Sequence, residues 1–282
     1  MRDKPKRAWE YPSEQMQLVR ATCLTIATRL GDMMDELIVV GGLVPSLIVD
    51  QERLPEDVEA HVGTMDLDVG VQLALLHEGR YRQLTQRLRD AGFSMDTNTL
   101  GKPTRQRWKI AGEGAASIDF LIQPSRPLDK GGRLRDIEPD FAAILVPGLV
   151  CAFQDRQRVT LTGYTLHQEK ACRELWVCGP GAYVVLKALA FDGRGEEKDA
   201  YDLYYVVRNF GDGIPNLTER LSPLLSDLDA QRALQILRRD FLEPDMVGPS
   251  RVAMFLKGER DDQIQADVVG FIRLLLQNLG AL

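Results

Sequence analysis

The chain has 282 residues, 44% of them hydrophobic and 27% charged, with a formal net charge of −6. This composition excludes a disordered or fibrous protein, and the acidity excludes one that coats nucleic acid without specificity, though not one with a local basic groove. No apolar run reaches the ~20 residues of a membrane-spanning helix, and no apolar signal segment follows the basic stretch Met1 to Arg7, so the expectation is a cytoplasmic protein without a membrane anchor.

Taken in chain order, Val19, Cys23, Ile26, Leu30, Met33 and Leu37 recur at helical spacings and predict an amphipathic helix from Ser13 to about Leu37, with Ser13 as N-cap after Pro12. The β-rich run Leu37 to Val40 stops at Gly41-Gly42, and Leu43 to Val49 reads as a second helix. A polar stretch over 50–63, containing Pro55, reads as a loop. Met65 to Val71 alternates acids with aliphatics, the pattern of a strand. Arg80 to Ala91 predicts a helix closed by Gly92. Strands over about Arg107–Ala111 and Ser117–Ile122, joined by Gly112-Glu113-Gly114, predict a hairpin, and Leu149–Phe153, Arg158–Thr162 and Glu174–Cys178 are further strand-like runs. After Gly179-Pro180-Gly181 the character changes: Ala182–Phe191, Glu196–Phe210 and nearly all the remainder read as helices. The expected organisation is an α/β part over 1–180 and a helical part over 181–282, an α+β fold overall. Four cysteines without C-x-x-C spacing and only three histidines give no zinc pattern.

Asp66 and Asp68 lie two apart in a strand and so point to one face, about 6–7 Å apart. Leu67 and Val69 mark the other face as core. Two carboxylates so placed repel one another unless a cation joins them. Asp119, between Ile118 and Phe120, is a third acid inside an apolar strand. If the two strands are neighbours, three carboxylates converge, an all-oxygen set suited to Mg²⁺ or Mn²⁺. The alternative is that Asp66 and Asp68 sit on an exposed edge strand and Asp119 pairs with a nearby arginine. Gly41-Gly42, between strand and helix, would let backbone N–H groups face a phosphate, with Ser46 one turn further on adding a hydroxyl.

In this order Val40-Gly41-Gly42, Thr64-x-Asp66-Leu67-Asp68 and Ile118-Asp119-Phe120 resemble the polymerase-β-like nucleotidyltransferases. Two further motifs narrow the resemblance to the AbiEii family of toxin nucleotidyltransferases, which includes the mycobacterial MenT toxins. One is Lys187, the lone charge in the apolar run Ala182 to Phe191, which either snorkels to the surface or meets a buried anion. The other is Lys198-Asp199-Ala200-Tyr201-Asp202-Leu203, where Asp199 would equally serve as a charge favoured by the helix N-terminus, with Arg194 and Lys198 as ordinary ion-pair partners. The resemblance spans about Leu37 to Arg208. It implies a nucleotidyltransferase-fold mixed sheet with flanking helices, followed by a mainly helical part that completes the site. It also implies that Gly41 and Gly42 shape a phosphate turn, that Thr64 takes the place of the usual serine, and that Asp66 and Asp68 are the principal metal ligands. Lys187 would contact the nucleotide triphosphate, and Asp199 would help build the active site. Where the family often has arginine, two residues before the Ser/Thr, this chain has Val62.

The same resemblance implies transfer of a nucleoside monophosphate from an NTP to RNA, with tRNA 3′ ends as acceptor and an antitoxin as partner. The sequence adds Arg105, Arg107 and Lys109, which alternate on one strand face near Asp119 and would either guide an RNA backbone or form a solvated strand face. A small hydroxylated acceptor and a silent nucleotide- or RNA-binding module are the other readings.

Overall fold

The computed structural model describes residues 5–56, 58–72, 78–98, 100–110, 116–126 and 128–282. The expected turn Gly112-Glu113-Gly114 lies outside them. The fold is α+β: a nine-stranded mixed sheet with flanking helices, followed by a part that is helical throughout. The strands are β1 (Leu37–Val40), β2 (Asp66–Val71), β3 (Phe93–Thr97), β4 (Pro103–Ile110), β5 (Ser117–Ile122), β6 (Leu134–Glu138), β7 (Phe141–Leu145), β8 (Arg156–Tyr164) and β9 (Lys170–Cys178). Their order is β3-β4-β5-β2-β1-β9-β8, with the β6–β7 hairpin joined to β5.

Strand β1 is apolar and buried along its whole length because it lies inside the sheet, antiparallel to β2 and parallel to β9. Strand β5 is the pivot. One edge pairs in parallel with β2; the other is shared, antiparallel β4 taking its first half and parallel β7 its second. The register sets Asp68 beside Asp119 and Asp119 beside Arg107. Alternation then puts Asp66, Asp68, Asp119 and Arg107 on one face, and Leu67, Val69, Ile118 and Phe120, all buried, on the other.

The helices are α1 (Ser13–Leu30), α2 (Pro45–Ile48), α3 (Glu78–Asp90), α4 (Leu149–Gln154), α5 (Pro180–Arg194), α6 (Glu197–Asn209), α7 (Ile214–Leu221), α8 (Leu228–Asp240), α9 (Val247–Lys257) and α10 (Asp262–Asn278). Helix α1 packs across β2, β8 and β9, whereas α4 sits on the acid-bearing face: a Cβ added to Gly70 would lie 3.1 Å from Leu149. Helix α5 then lies against α4, α6, α7 and α8. One hydrophobic core runs without a break from the sheet into these helices. No helix among the described residues is long and apolar enough to cross a membrane.

Several elements differ from the sequence reading. The first helix ends at Leu30, because Gly31 takes a φ of 56°; Met33 and Leu37 stay buried, in a 3-10 turn and in β1. It begins at Ser13 itself, with Pro12 in the cap position. The second helix is a 3-10 turn, Gly41–Leu43, followed by the single turn α2. Leu149–Phe153 is helical, a short apolar run that reads equally well as strand or buried helix. Strands β3, β6 and β7 are additional to those expected.

The start of α5 is pinned by Asp155, which accepts the Ala182 amide at 2.8 Å and the Arg220 guanidinium at 2.6 Å. Asp155 is buried and Arg220 one-third exposed. Replacing Asp155 with alanine is expected to lower stability by about 2–3 kcal/mol, the cost of breaking a buried pair reduced for the solvent already reaching the arginine. Urea unfolding of the variant checks this.

Candidate active site

A cleft of about 530 Å³ opens where the ends of β1 and β2 meet α5 and α6, and its lining includes Gly41, Gly42, Thr64, Asp66, Asp68, Asp119, Lys187 and Asp199. The turn after β1 is tight because it abuts the acid strand. Gly41 has a φ of 72°, and a Cβ there would overlap the Asp68 carboxylate; one on Gly42 would lie 2.7 Å from Thr64. Only glycine allows this approach. Thr64 points its hydroxyl to the Asp66 carbonyl at 3.2 Å.

Asp66 accepts a hydrogen bond from Ser117 at 2.8 Å. Asp119 is bound by Arg107 through both carboxylate oxygens, Nε donating at 2.7 Å, and the same guanidinium lies 3.7 Å from Asp66. Asp119 foremost, with Asp66 and Asp68 contributing, holds the Arg107 pKa above the ordinary arginine value against the opposing effect of burial. The arginine pairing weighed for Asp119 is therefore present. As hard oxygen donors on one strand face, Asp66 and Asp68 fit a divalent ion such as Mg²⁺ or Mn²⁺. Asp119 is not presented as an open third ligand. Among the described residues no group of three His, Cys, Asp or Glu side chains is disposed to hold a metal.

The opposite wall carries a buried ionic network. Lys187, on the apolar α5, meets two carboxylates of α6, donating to Asp199 at 3.0 Å and to Asp202 at 2.6 Å. Asp202 also accepts from Lys198 at 2.6 Å and lies 2.8 Å from His61 Nε2; Asp199 is gripped by Arg194 at 2.5 and 2.8 Å. Burial disfavours the charged form of Lys187, but Asp202 and Asp199 outweigh it and raise its pKa. For Lys198 burial prevails and lowers the pKa, with the Lys187 charge adding to it and Asp202 opposing. Both carboxylates are held below the ordinary range: burial would raise them, and Lys187 with Lys198 for Asp202, or with Arg194 for Asp199, overcomes it.

Other expected residues lie elsewhere. Ser46 is outside the cleft lining, its hydroxyl donating to the Leu43 carbonyl at 2.8 Å inside its own turn. Arg105, Arg107 and Lys109 form no free cationic row: Arg105 pairs with Asp136 at 2.7 Å, Arg107 with Asp119, and Lys109 with Asp96. Trp108 between them is a core residue, 1% exposed. The structure brings in residues that sequence reasoning left aside. Arg7 and Arg251 flank the mouth, both bound to Glu197. Asp202 was visible in the Lys198-to-Leu203 motif, but His61 had no signal in its polar loop.

No family model matches the sequence, and no curated protein matches it. Among solved structures the chain is similar to an antigenic nucleotidyltransferase-like protein from Paracoccidioides brasiliensis, at 15% identity and a TM-score of 0.42, over 78% of this chain and 88% of that one.

The network makes stability depend on pH through His61. Burial lowers its pKa from 6.5 to about 4; Lys198 and Lys187 add to this and Asp202 opposes it, while Tyr201 and Tyr205 enclose the ring. In the window between those two values the unfolded chain binds the proton and the folded chain does not. The contribution is therefore complete above about pH 6.5 and is lost as pH falls towards about 4. Urea midpoints measured across this window are expected to fall with pH more steeply for the wild type than for His61→Gln.

Proposed function

We propose that this chain is a metal-dependent nucleotidyltransferase that moves a nucleoside monophosphate from an NTP to an acceptor hydroxyl. One juxtaposition carries the reading. A single cleft holds the glycine turn after β1, the carboxylates of β2 and the lysines of α5 and α6, groups that lie far apart in the chain and suit the three parts of a metal-bound triphosphate. In this reading Gly41, Gly42 and Thr64 cradle phosphate oxygens through backbone N–H groups. Lys187 and Lys198 face the triphosphate and stabilise the charge that gathers on the departing pyrophosphate. Asp66 and Asp68 hold the divalent ion, and Asp199 keeps Lys187 charged. A bound Mg²⁺ or Mn²⁺ would supply Lewis acidity towards the phosphate oxygens.

For the acceptor, the resemblance to AbiEii proteins favours RNA, with a tRNA 3′ end as the substrate, and extends the proposal to a cytoplasmic toxin restrained by an antitoxin. Arg7, Arg251 and Lys6 at the mouth would meet its backbone. A second reading, a small hydroxylated acceptor, is favoured by a different observation: the basic residues of β4 are all engaged by carboxylates.

Incubation with tRNA, Mg²⁺ and each α-³²P-labelled NTP in turn is expected to label tRNA with one nucleotide. Asp66→Ala and Lys187→Ala are each expected to cut the rate by about 10²-fold or more, the scale of losing one charge-stabilising group. Transfer by Asp66→Ala at the wild-type rate would remove the metal assignment, and label in a small alcohol but not in tRNA would select the second acceptor.

A further inference from the structure

We propose that His61 is a positioning residue that locks the carboxylate strand to the lysine helices, by donating from Nε2 to Asp202 while accepting the Gly63 amide at Nδ1. The role rests on the nucleotidyltransferase reading above. The proton placement follows from geometry. The Gly63 amide can only donate, and it lies 3.1 Å from Nδ1. That nitrogen must therefore be the acceptor, which puts the ring proton on Nε2, 2.8 Å from the Asp202 carboxylate. The low pKa of about 4 agrees with a neutral ring.

The ring is held in that orientation from both sides, stacked on Tyr201 at 5.3 Å and edge-on to Tyr205 at 4.9 Å. Its side chain is fully buried and lies behind the cleft rather than in its lining. The adjoining backbone is tied to the same helix, since the Val62 amide donates to the Tyr201 hydroxyl at 3.3 Å. The segment from His61 to Gly63 leads directly to Thr64 and Asp66, whereas Asp202 carries Lys187 and Lys198. One imidazole thus spans the two walls of the cleft. Gly63 fixes where the β2 end sits, and Asp202 fixes where the two ammonium groups point. A phenylalanine would keep the ring packing but leave the Gly63 amide and one Asp202 oxygen without this partner. Groups that orient site residues from behind in this way change rates while touching no substrate.

The test uses the full chain in two arms. Long-range ¹H–¹⁵N spectra of the histidine rings, with His61 assigned by its loss in His61→Gln, are expected to show the Nε2–H tautomer; an Nδ1–H tautomer overturns the proposal. In the second arm, calorimetry measures NTP binding, and kcat and KM are measured for transfer. His61→Phe and His61→Asn are expected to lose about 10–100-fold in kcat/KM, whereas His61→Gln, whose amide NH₂ reaches Asp202, recovers to within about threefold. Melting temperatures accompany each variant. Equal losses in all three, in step with their melting temperatures, would reduce His61 to a packing residue and overturn the proposal. Wild-type rates in His61→Phe would overturn it too. A wild type that binds no NTP overturns the nucleotide reading and the role of His61 with it, a result distinct from wild-type binding and transfer that the His61 variants leave unchanged.

Discussion

A carboxylate with no solvent exposure organises this protein. Asp202 is surrounded by Lys187, Lys198 and His61, and each of them sits where it does because that carboxylate is there. Removing such a group from water is costly unless every oxygen finds a donor. Here the donors come from three places: α5, α6 itself, and the loop that starts β2. Satisfying one buried charge thus joins the sheet to the helical part. Two ammonium groups that would otherwise repel can stand together in a largely apolar helix pair. Asp199 repeats the arrangement with Lys187 and Arg194.

The sheet solves the opposite problem, that of holding like charges close. Strands β2 and β5 run in parallel with Asp68 beside Asp119, an alignment that would be repulsive but for Arg107 on the next strand. Because β5 shares its second edge between β4 and β7, Arg107 is opposite Asp119 while the remainder of β5 is closed by an apolar strand. The cation is thus placed where the acids are and nowhere else along the strand. Charge on one wall is balanced by an arginine, and on the other by two acids, which leaves a cleft of mixed sign.

Much of the frame was legible in the sequence. The alternation in Met65 to Val71, the abrupt stop at Gly41-Gly42 and the change of character at Gly179-Pro180-Gly181 each encode a local preference that the fold keeps. Lys187 stood out as the lone charge of an apolar helical run, and Asp199 through its place in the Lys198-to-Leu203 motif. Illegible features were of another kind. Leu149–Phe153 has an apolar run too short to separate helix from strand, and it packs as a helix between the sheet and α5. The first helix stops at Gly31 although its apolar periodicity continues, because the backbone turns there while the side chains stay in the core. Arg105 and Lys109 formed a regular basic row on paper; their acidic partners Asp136 and Asp96 come from other strands, which no local pattern shows. His61 has no neighbours in the sequence that mark it, since the carboxylate it meets is 141 positions away.

Strand β1 lies beside β9, with Val39 opposite Val177, and the buried carboxylate comes later still, on α6. The glycine turn and the acid strand therefore precede, in the chain, the strand and helices that complete the cleft. A nascent chain that has emerged only as far as the acid strands has its glycine turn and carboxylates but lacks the strand that closes the sheet at β1. It also lacks α5 and α6, which bring Lys187 and Lys198 to the cleft. A chain cut short before Asp202 would therefore lack the carboxylate on which Lys187 and Lys198 both close.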